Sequence, residues 1–256
     1  MLLLIDAGNT RIKWAVVPES NAANPAKLGA WLRSGSLSHQ EFAQNPTLWS
    51  CYAIQRAIVS NVAGSGLKTQ LAGALQSPSV TVEWIAAQAS LAGITNHYQI
   101  PEQLGCDRFA AAIGAHALFP NQALVVATCG TATTIDAVSA QGDFIGGMIA
   151  PGLQLMAQSL ALNTAQLPHV QNAAAIDVNF ADHTQAAILS GCVAAQVGAI
   201  EHAVTHFSAM ADLTHAATPL CVLSGGAAKF IMPSLRVPYR QFDNLVLIGL
   251  QAYSSC

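Results

Sequence analysis

The segment Leu4-Ile5-Asp6-Ala7-Gly8-Asn9-Thr10 lies over Val126-Ala127-Thr128-Cys129-Gly130-Thr131-Ala132 with the glycines in register. Each copy ends an apolar run and leads into a second run with β-branched residues, so each reads as a hairpin with a polar tip. An echo of this kind marks a chain built from two related halves. Two similar turns facing each other across a cleft would suit a phosphate tail held between them. Two ordinary hairpins with small turn residues would leave the same local trace.

The rest of the pattern alternates strands with helices, which implies an α/β sheet in each half. Strands are expected over 2–5, 12–17, 57–60 and 80–85, and helices over 38–53 and 67–75. A loop carrying Pro101 spans 96–105, and an alanine-rich helix over 107–119 closes the first half. The second half repeats the logic with strands over 124–127, 134–138 and 144–149, then helices over 153–162 and 184–210. The expected domains are 1–118 and 119–256.

Composition narrows the class. With 52% apolar and 9% charged residues, the chain has ample core material and is not a disordered one. No stretch approaches the roughly 20 uninterrupted apolar residues of a spanning helix, so no membrane role is expected. So little charge on so apolar a chain suggests that subunits cover part of each other. A net charge of −3 without any Lys/Arg cluster makes nucleic acid a poor partner. Cys51, Cys106, Cys129, Cys192, Cys221 and Cys256 show no paired spacing and read as reduced thiols of a cytosolic protein. Asp6 interrupts the apolar start at once and no basic residues precede it, so residues 2–5 read as a strand and not as a signal peptide.

Three constellations carry possible chemistry. In Asp6 to Lys13, Gly8 admits close backbone approach, Asn9 and Thr10 can donate to phosphate oxygens, and Lys13 supplies positive charge. Asp6, ending a buried strand, can organise a hydrated Mg²⁺; a hairpin whose Asp accepts backbone hydrogen bonds explains the same residues. Gly105-Cys106-Asp107-Arg108 puts a carboxylate beside a guanidinium at a helix start. There Arg108 can pin an anionic group and Asp107 can take a proton from a hydroxyl, or Asp107 can merely cap the helix. Gly130-Thr131-Ala132-Thr133-Thr134 forms a second small hydroxyl-rich turn. Gly225-Gly226, between a strand and a helix, would let a flat adenine ring lie against backbone.

In this order, the D-x-G-N-T-x-x-K turn of Asp6 to Lys13, Asn96-His97-Tyr98, Gly105-Cys106-Asp107-Arg108, Gly130 to Thr134 and Ser224-Gly225-Gly226-Ala227 resemble the type III pantothenate kinases. The resemblance covers essentially the whole chain. It implies a duplicated pair of ribonuclease H-like, actin-like ATPase domains with a cleft between them, a homodimer, and phosphorylation of pantothenate by ATP in the first step of coenzyme A synthesis. By this resemblance Asp6 organises Mg²⁺, and Gly8, Asn9, Thr10 and Lys13 line the phosphate tail together with Gly130 and Thr131. Asp107 is the general base. Tyr98, Gly105, Cys106 and Arg108 contact pantothenate, and Thr184 contacts it near the dimer interface.

One position departs from the pattern. Family members normally carry an aspartate two residues before the second-turn glycine, where it binds an activating monovalent cation such as K⁺ or NH₄⁺; here Thr128 stands there. A hydroxyl lacks the carboxylate's charge, so a weakened cation site is expected. The same substitution keeps open an alternative, a regulatory or binding protein of this fold with reduced or lost kinase activity. His202 and His206 are spaced to share a helix face, but no ligand set accompanies them and no zinc site is expected.

Overall fold

The structure is a computed structural model that describes residues 1–18, 27–164, 167–168, 180–210 and 218–256. These residues form two compact units. The first comprises Met1–Pro120, Gly142–Phe144 and Asn244–Cys256, and the second Asn121–Gln141 and Ile145–Asp243. Where 119–256 was expected to form one domain, the last helix packs with the first unit instead.

In the first unit, β1 (Leu2–Ala7), β2 (Arg11–Val17), β3 (Arg33–Ser38), β4 (Arg56–Asn61) and β5 (Thr81–Trp84) form a sheet in the order β3-β2-β1-β4-β5. β1 runs antiparallel to β2 and parallel to β4. Alternation sends Leu3, Ile5 and Ala7 into a core with Ile12, Trp14, Phe42 and Leu71, so Leu2, Leu4 and Asp6 stand on the opposite face. Helices α1 (His39–Gln44) and α2 (Gly64–Ala74) contribute to that core. The short strands β6 (Ser90–Leu91) and β7 (Ile94–Asn96) follow, and then α3 (Cys106–Leu118).

The helix expected over 38–53 stops at Gln44. A capping box between Ser38 and Glu41 sets its start, and the ring of Pro46 disfavours helical backbone at Asn45. The chain then turns so that Trp49 meets Phe42 at 5.6 Å and Trp14 at 6.4 Å between ring centroids. Strand β3, Arg-Ser-Gly-Ser-Leu-Ser, was not foreseen because it lacks apolar alternation. It is an edge strand held by its ladder to β2.

The second unit repeats the arrangement. Strands β8 (Leu124–Cys129), β9 (Ala132–Val138), β10 (Asp143–Pro151), β11 (Leu220–Ser224) and β12 (Tyr239–Gln241) run in the order β12-β11-β8-β9-β10. β8 is antiparallel to β9 and parallel to β11, as β1 is to β2 and β4. Burial along β1 and β8 is the same, four buried residues, one half-buried and one buried. Helices α4 (Leu153–Asn163), α5 (Thr184–Met210) and α6 (Ala228–Ile231) cover one face. The first two residues of β10 belong to the first unit, where they pair with β7.

Helix α5 corrects the reading that nothing here matches a spanning segment. Its 27 residues are long and apolar enough to cross a membrane by length and composition, because averaging tolerates the isolated Gln196 and Glu201 that break any uninterrupted run. Half of its most apolar window is buried, and Ile188, Val193, Val197, Ile200 and Val204 join the core of the second unit. His202 and His206 stack on each other at 5.7 Å; His169 and His215 lie outside the described residues. The terminal helix α7 (Leu245–Tyr253), also unforeseen, packs on α3 with Gly249 against the Ala110 carbonyl.

Candidate active site

In the first unit Asp6 pairs with Lys13 on β2 and with Ser60 on β4. Partners across a ladder share a face, so Lys13, Asp6 and Ser60 form a row at the carboxyl end of β1. The start of α3 lies against this row: the Ser60 hydroxyl is 3.4 Å from Cys106 Sγ, and Cys106 Sγ donates to the Asn61 carbonyl at 3.5 Å. Burial pushes the Asp6 carboxyl up to about 6, the Lys13 ammonium pulls it down, and the charge of Asp107 pushes it up again. The charge of Asp107 thus reaches Asp6, which places the two in one neighbourhood. The Gly8 amide closes the turn by donating to Arg11 O at 3.1 Å, and the His39 ring lies 2.9 Å from Gly8 O. Asn9 and Thr10, at the tip, are exposed.

Gly105 precedes α3, and a Cβ there would come within 2.7 Å of Asp107 Oδ1, so the glycine makes room for the carboxylate. That oxygen also accepts from the Arg108 amide at 2.8 Å. The Arg108 side chain is buried, donates to the Tyr98 hydroxyl at 2.8 Å, and lies 5.7 Å and 5.8 Å from the Tyr98 and Phe144 ring centroids. Asn96 shapes this loop: its Oδ1 accepts from the Tyr98 amide and its Nδ2 donates to the Pro101 carbonyl, each at 3.1 Å. Cation–π contact and the Tyr98 hydroxyl help to fix the guanidinium in place, and a guanidinium is the group best suited to a carboxylate.

The second unit carries the corresponding row without charge. Thr128 pairs with Thr134 on β9 and Ser224 on β11. The Thr134 hydroxyl is buried and has no hydrogen-bond partner among the described residues. The turn at Gly130-Thr131 is one residue tighter than at Gly8 to Arg11, since Gly130 N donates to Ala132 O at 3.0 Å. Gly130 and Thr131 are exposed, as are Gly226 after β11 and Thr184 at the start of α5, while Gly225 is half-buried.

Asp6, Gly8, Asn9, Thr10, Lys13, Tyr98, Gly105, Cys106, Asp107 and Arg108 thus fall in the first unit. Thr128, Gly130, Thr131, Thr184, Gly225 and Gly226 fall in the second. A sequence profile described as "Type III pantothenate kinase" matches residues 2–206. The chain belongs to the type III pantothenate kinase family. A type III pantothenate kinase from Herminiimonas arsenicoxydans is 54% identical over 253 residues, 98% of this chain and 96% of that one. Another from Janthinobacterium sp. (strain Marseille) is 55% identical over 255 residues with the same coverage.

Among solved structures, a proposed 2-dehydro-3-deoxygalactonokinase from Sinorhizobium meliloti aligns over 99% of this chain and 98% of its own, with TM-score 0.57 at 14% identity. The ethanolamine utilization protein EutJ from Carboxydothermus hydrogenoformans aligns over 98% of this chain and 88% of its own, with TM-score 0.51 at 12% identity. At such identities the likeness carries the fold alone, the two-domain α/β fold of actin-like ATPases and sugar kinases.

Sequence reasoning missed Ser60, Asn96 as a loop former, and Phe144. A signal for Ser60 existed, because Ala57-Ile58-Val59-Ser60 and Cys221-Val222-Leu223-Ser224 both end an apolar strand with serine. Nothing in the sequence separates Phe144 from other strand aromatics; its ladder to β7 brings it to Arg108.

Proposed function

We propose that this family member transfers the γ-phosphoryl group of ATP to the primary hydroxyl of pantothenate. The observation that carries the reading is the clustering, in the first unit, of Asp107 with Asp6 beside an arginine caged by two aromatic rings. Arg108 binds the pantothenate carboxylate, and Tyr98 holds the guanidinium in line. Asp107 accepts the hydroxyl proton as the oxygen attacks phosphorus, while the bond to the ADP oxygen breaks. Lys13, with the Asn9 and Thr10 side chains, binds phosphate oxygens, so that positioning and charge neutralisation supply most of the rate.

Asp6 fits a magnesium ion: it is a carboxylate at a strand end whose charge is disfavoured by burial and by Asp107, a strain that a cation relieves. Asp6 would hold Mg²⁺, and the ion would supply neutralisation of phosphate charge. In the second unit Gly130 and Thr131 bind the phosphate tail, and Gly225 and Gly226 lie under the adenine. Thr128, Thr134 and Ser224 offer only neutral oxygens, which fits a weak K⁺ or NH₄⁺ site. A homodimer, to which Thr184 contributes, and a cytoplasmic location complete the reading. The free state of all six cysteines supports the latter.

The test is ATP consumption by the purified chain with and without pantothenate, in potassium, ammonium and sodium. The expected result is stimulation by pantothenate, with a modest spread among the ions. A rate indifferent to pantothenate in all three would defeat the proposal.

A further inference from the structure

Helix α5 holds one buried polar side chain that the proposed chemistry does not use. Gln196 is 2% exposed. Its Nε2 donates to the Pro151 carbonyl at 2.7 Å and lies 3.3 Å from Met156 Sδ, while its Oε1 has no hydrogen-bond partner among the described residues. Pro151 ends β10, and Gly152, the next residue, opens α4. The Gly152 amide donates to the Thr131 carbonyl at 2.9 Å, and its own carbonyl accepts from Met156 N at 2.9 Å. A Cβ at Gly152 would press on the Gly130 carbonyl and come within 2.7 Å of the Thr131 carbonyl.

The other side of the turn is held in the same manner. Gly225 has φ +95 and lies so close to Cys129 that a Cβ would meet the Cys129 nitrogen at 2.8 Å. Two residues on, the Ala227 amide donates to the Cys129 carbonyl at 3.1 Å. Two carbonyls of the turn, those of Cys129 and Thr131, are thus occupied by backbone amides. A carbonyl oxygen facing a phosphate repels it, so a phosphate-binding turn works only while its carbonyls are turned away.

We propose that Gln196 is a positioning residue for the second phosphate-binding turn: from α5 it fixes the Pro151–Gly152 corner, and that corner holds the Thr131 carbonyl away from the nucleotide. The inference rests on the nucleotide-binding reading above. It deepens it by assigning a role to a helix residue that touches no substrate. Gln196→Met is the discriminating variant. It fills a similar volume and removes the donor together with the unpartnered Oε1, so the hydrogen bond lost at the Pro151 carbonyl is offset by relief of a buried acceptor that has no partner among the described residues.

The experiment is calorimetric titration of the full chain with a non-hydrolysable ATP analogue and Mg²⁺, alongside thermal unfolding of the ligand-free protein. Gln196→Met is expected to weaken nucleotide binding roughly fivefold, the scale of one lost hydrogen bond, with Tm unchanged. In turnover, KM for ATP should rise while KM for pantothenate holds. Gly152→Ala, which displaces the same turn from the other side, should weaken nucleotide binding at least as much. Equal nucleotide affinity of wild type and Gln196→Met overturns the brace while leaving the kinase reading intact. Joint loss of affinity for both substrates with a lowered Tm also overturns it, since that is the signature of general loosening. A wild-type chain that binds no nucleotide overturns both.

Discussion

The two hairpins, one at the head of each unit, share strand order and the burial of the leading strand, yet differ in chemistry at the same step. In the first, Asp6 stands between Lys13 and Ser60; in the second, Thr128 stands between Thr134 and Ser224. The carbonyls are secured partly alike: before each glycine a backbone amide closes the turn, Val62 N on Ala7 O and Ala227 N on Cys129 O, each at 3.1 Å. Beyond that point they differ, since a histidine ring lies on Gly8 O while the Gly152 amide holds Thr131 O. The duplicated frame thus carries a charged row in the first unit and a neutral one in the second. Under the proposed function, the reactive carboxylates belong to the first and a division of labour follows.

The sharpest way to break this contrast is to remove the carboxylate next to the charged row and a hydroxyl from the neutral turn. Asp107→Asn should lower kcat by about 100-fold or more, the scale of losing a general base, with nucleotide binding retained. Thr131→Ala should raise KM for ATP only a few-fold and leave kcat close to wild type. Comparable kcat losses in the two variants would erase the division of labour.

A second prediction reads the charge itself, in ligand-free protein without Mg²⁺. The Asp6 carboxyl rises from an unfolded value of 3.8 to about 6 in the fold, so the folded state holds the extra proton between those values. Stability of the wild type therefore falls as pH rises through that window and levels off above it. Asp6→Asn lacks this loss. Denaturant melts should show the variant gaining on wild type from pH 4 to pH 7, by on the order of 1–3 kcal/mol, with the lower end favoured by the partial exposure of Asp6. Thr128→Val should show no pH-dependent gain. A flat difference for Asp6→Asn would mean that its charge is not strained.

The smallest effect is expected from making the second row resemble the first. Thr128→Asp places a carboxylate where Thr134, and no lysine, faces it. The ratio of turnover in potassium to that in sodium should rise roughly threefold, as a new negative charge strengthens a cation contact at the surface. An unchanged ratio would show that this row does not meet the cation.

Much of this was open to reading from the chain. The repeated apolar-strand-and-glycine pattern suffices for the duplicated hairpins, because a buried strand ending in a small polar turn has few other uses. The spacing of Gly105, Asp107 and Arg108 at a helix start left capping and an acceptor site both open, and the family resemblance chose the acceptor site. Less was visible where partners arrive from far along the chain. Strand β3 is polar and exists through its ladder to β2, and the helix after it ends where Pro46 forbids continuation. Phe144 meets Arg108 only because β10 pairs with β7.

What residue types can do is local, and the sequence alone determined it: which turns have the small and hydroxyl residues that suit an anion, which carboxylate can take a proton, and which position lacks the family's charge. Which groups feel one another was decided by tertiary structure. Electrostatic shift and hydrogen bonding depend on distance and burial, and these arise only when β1 and α3, or α5 and β10, are brought together by packing. The raised carboxyl of Asp6 and the brace from Gln196 to the Thr131 turn are properties of that packing, and no spacing along the chain announces either.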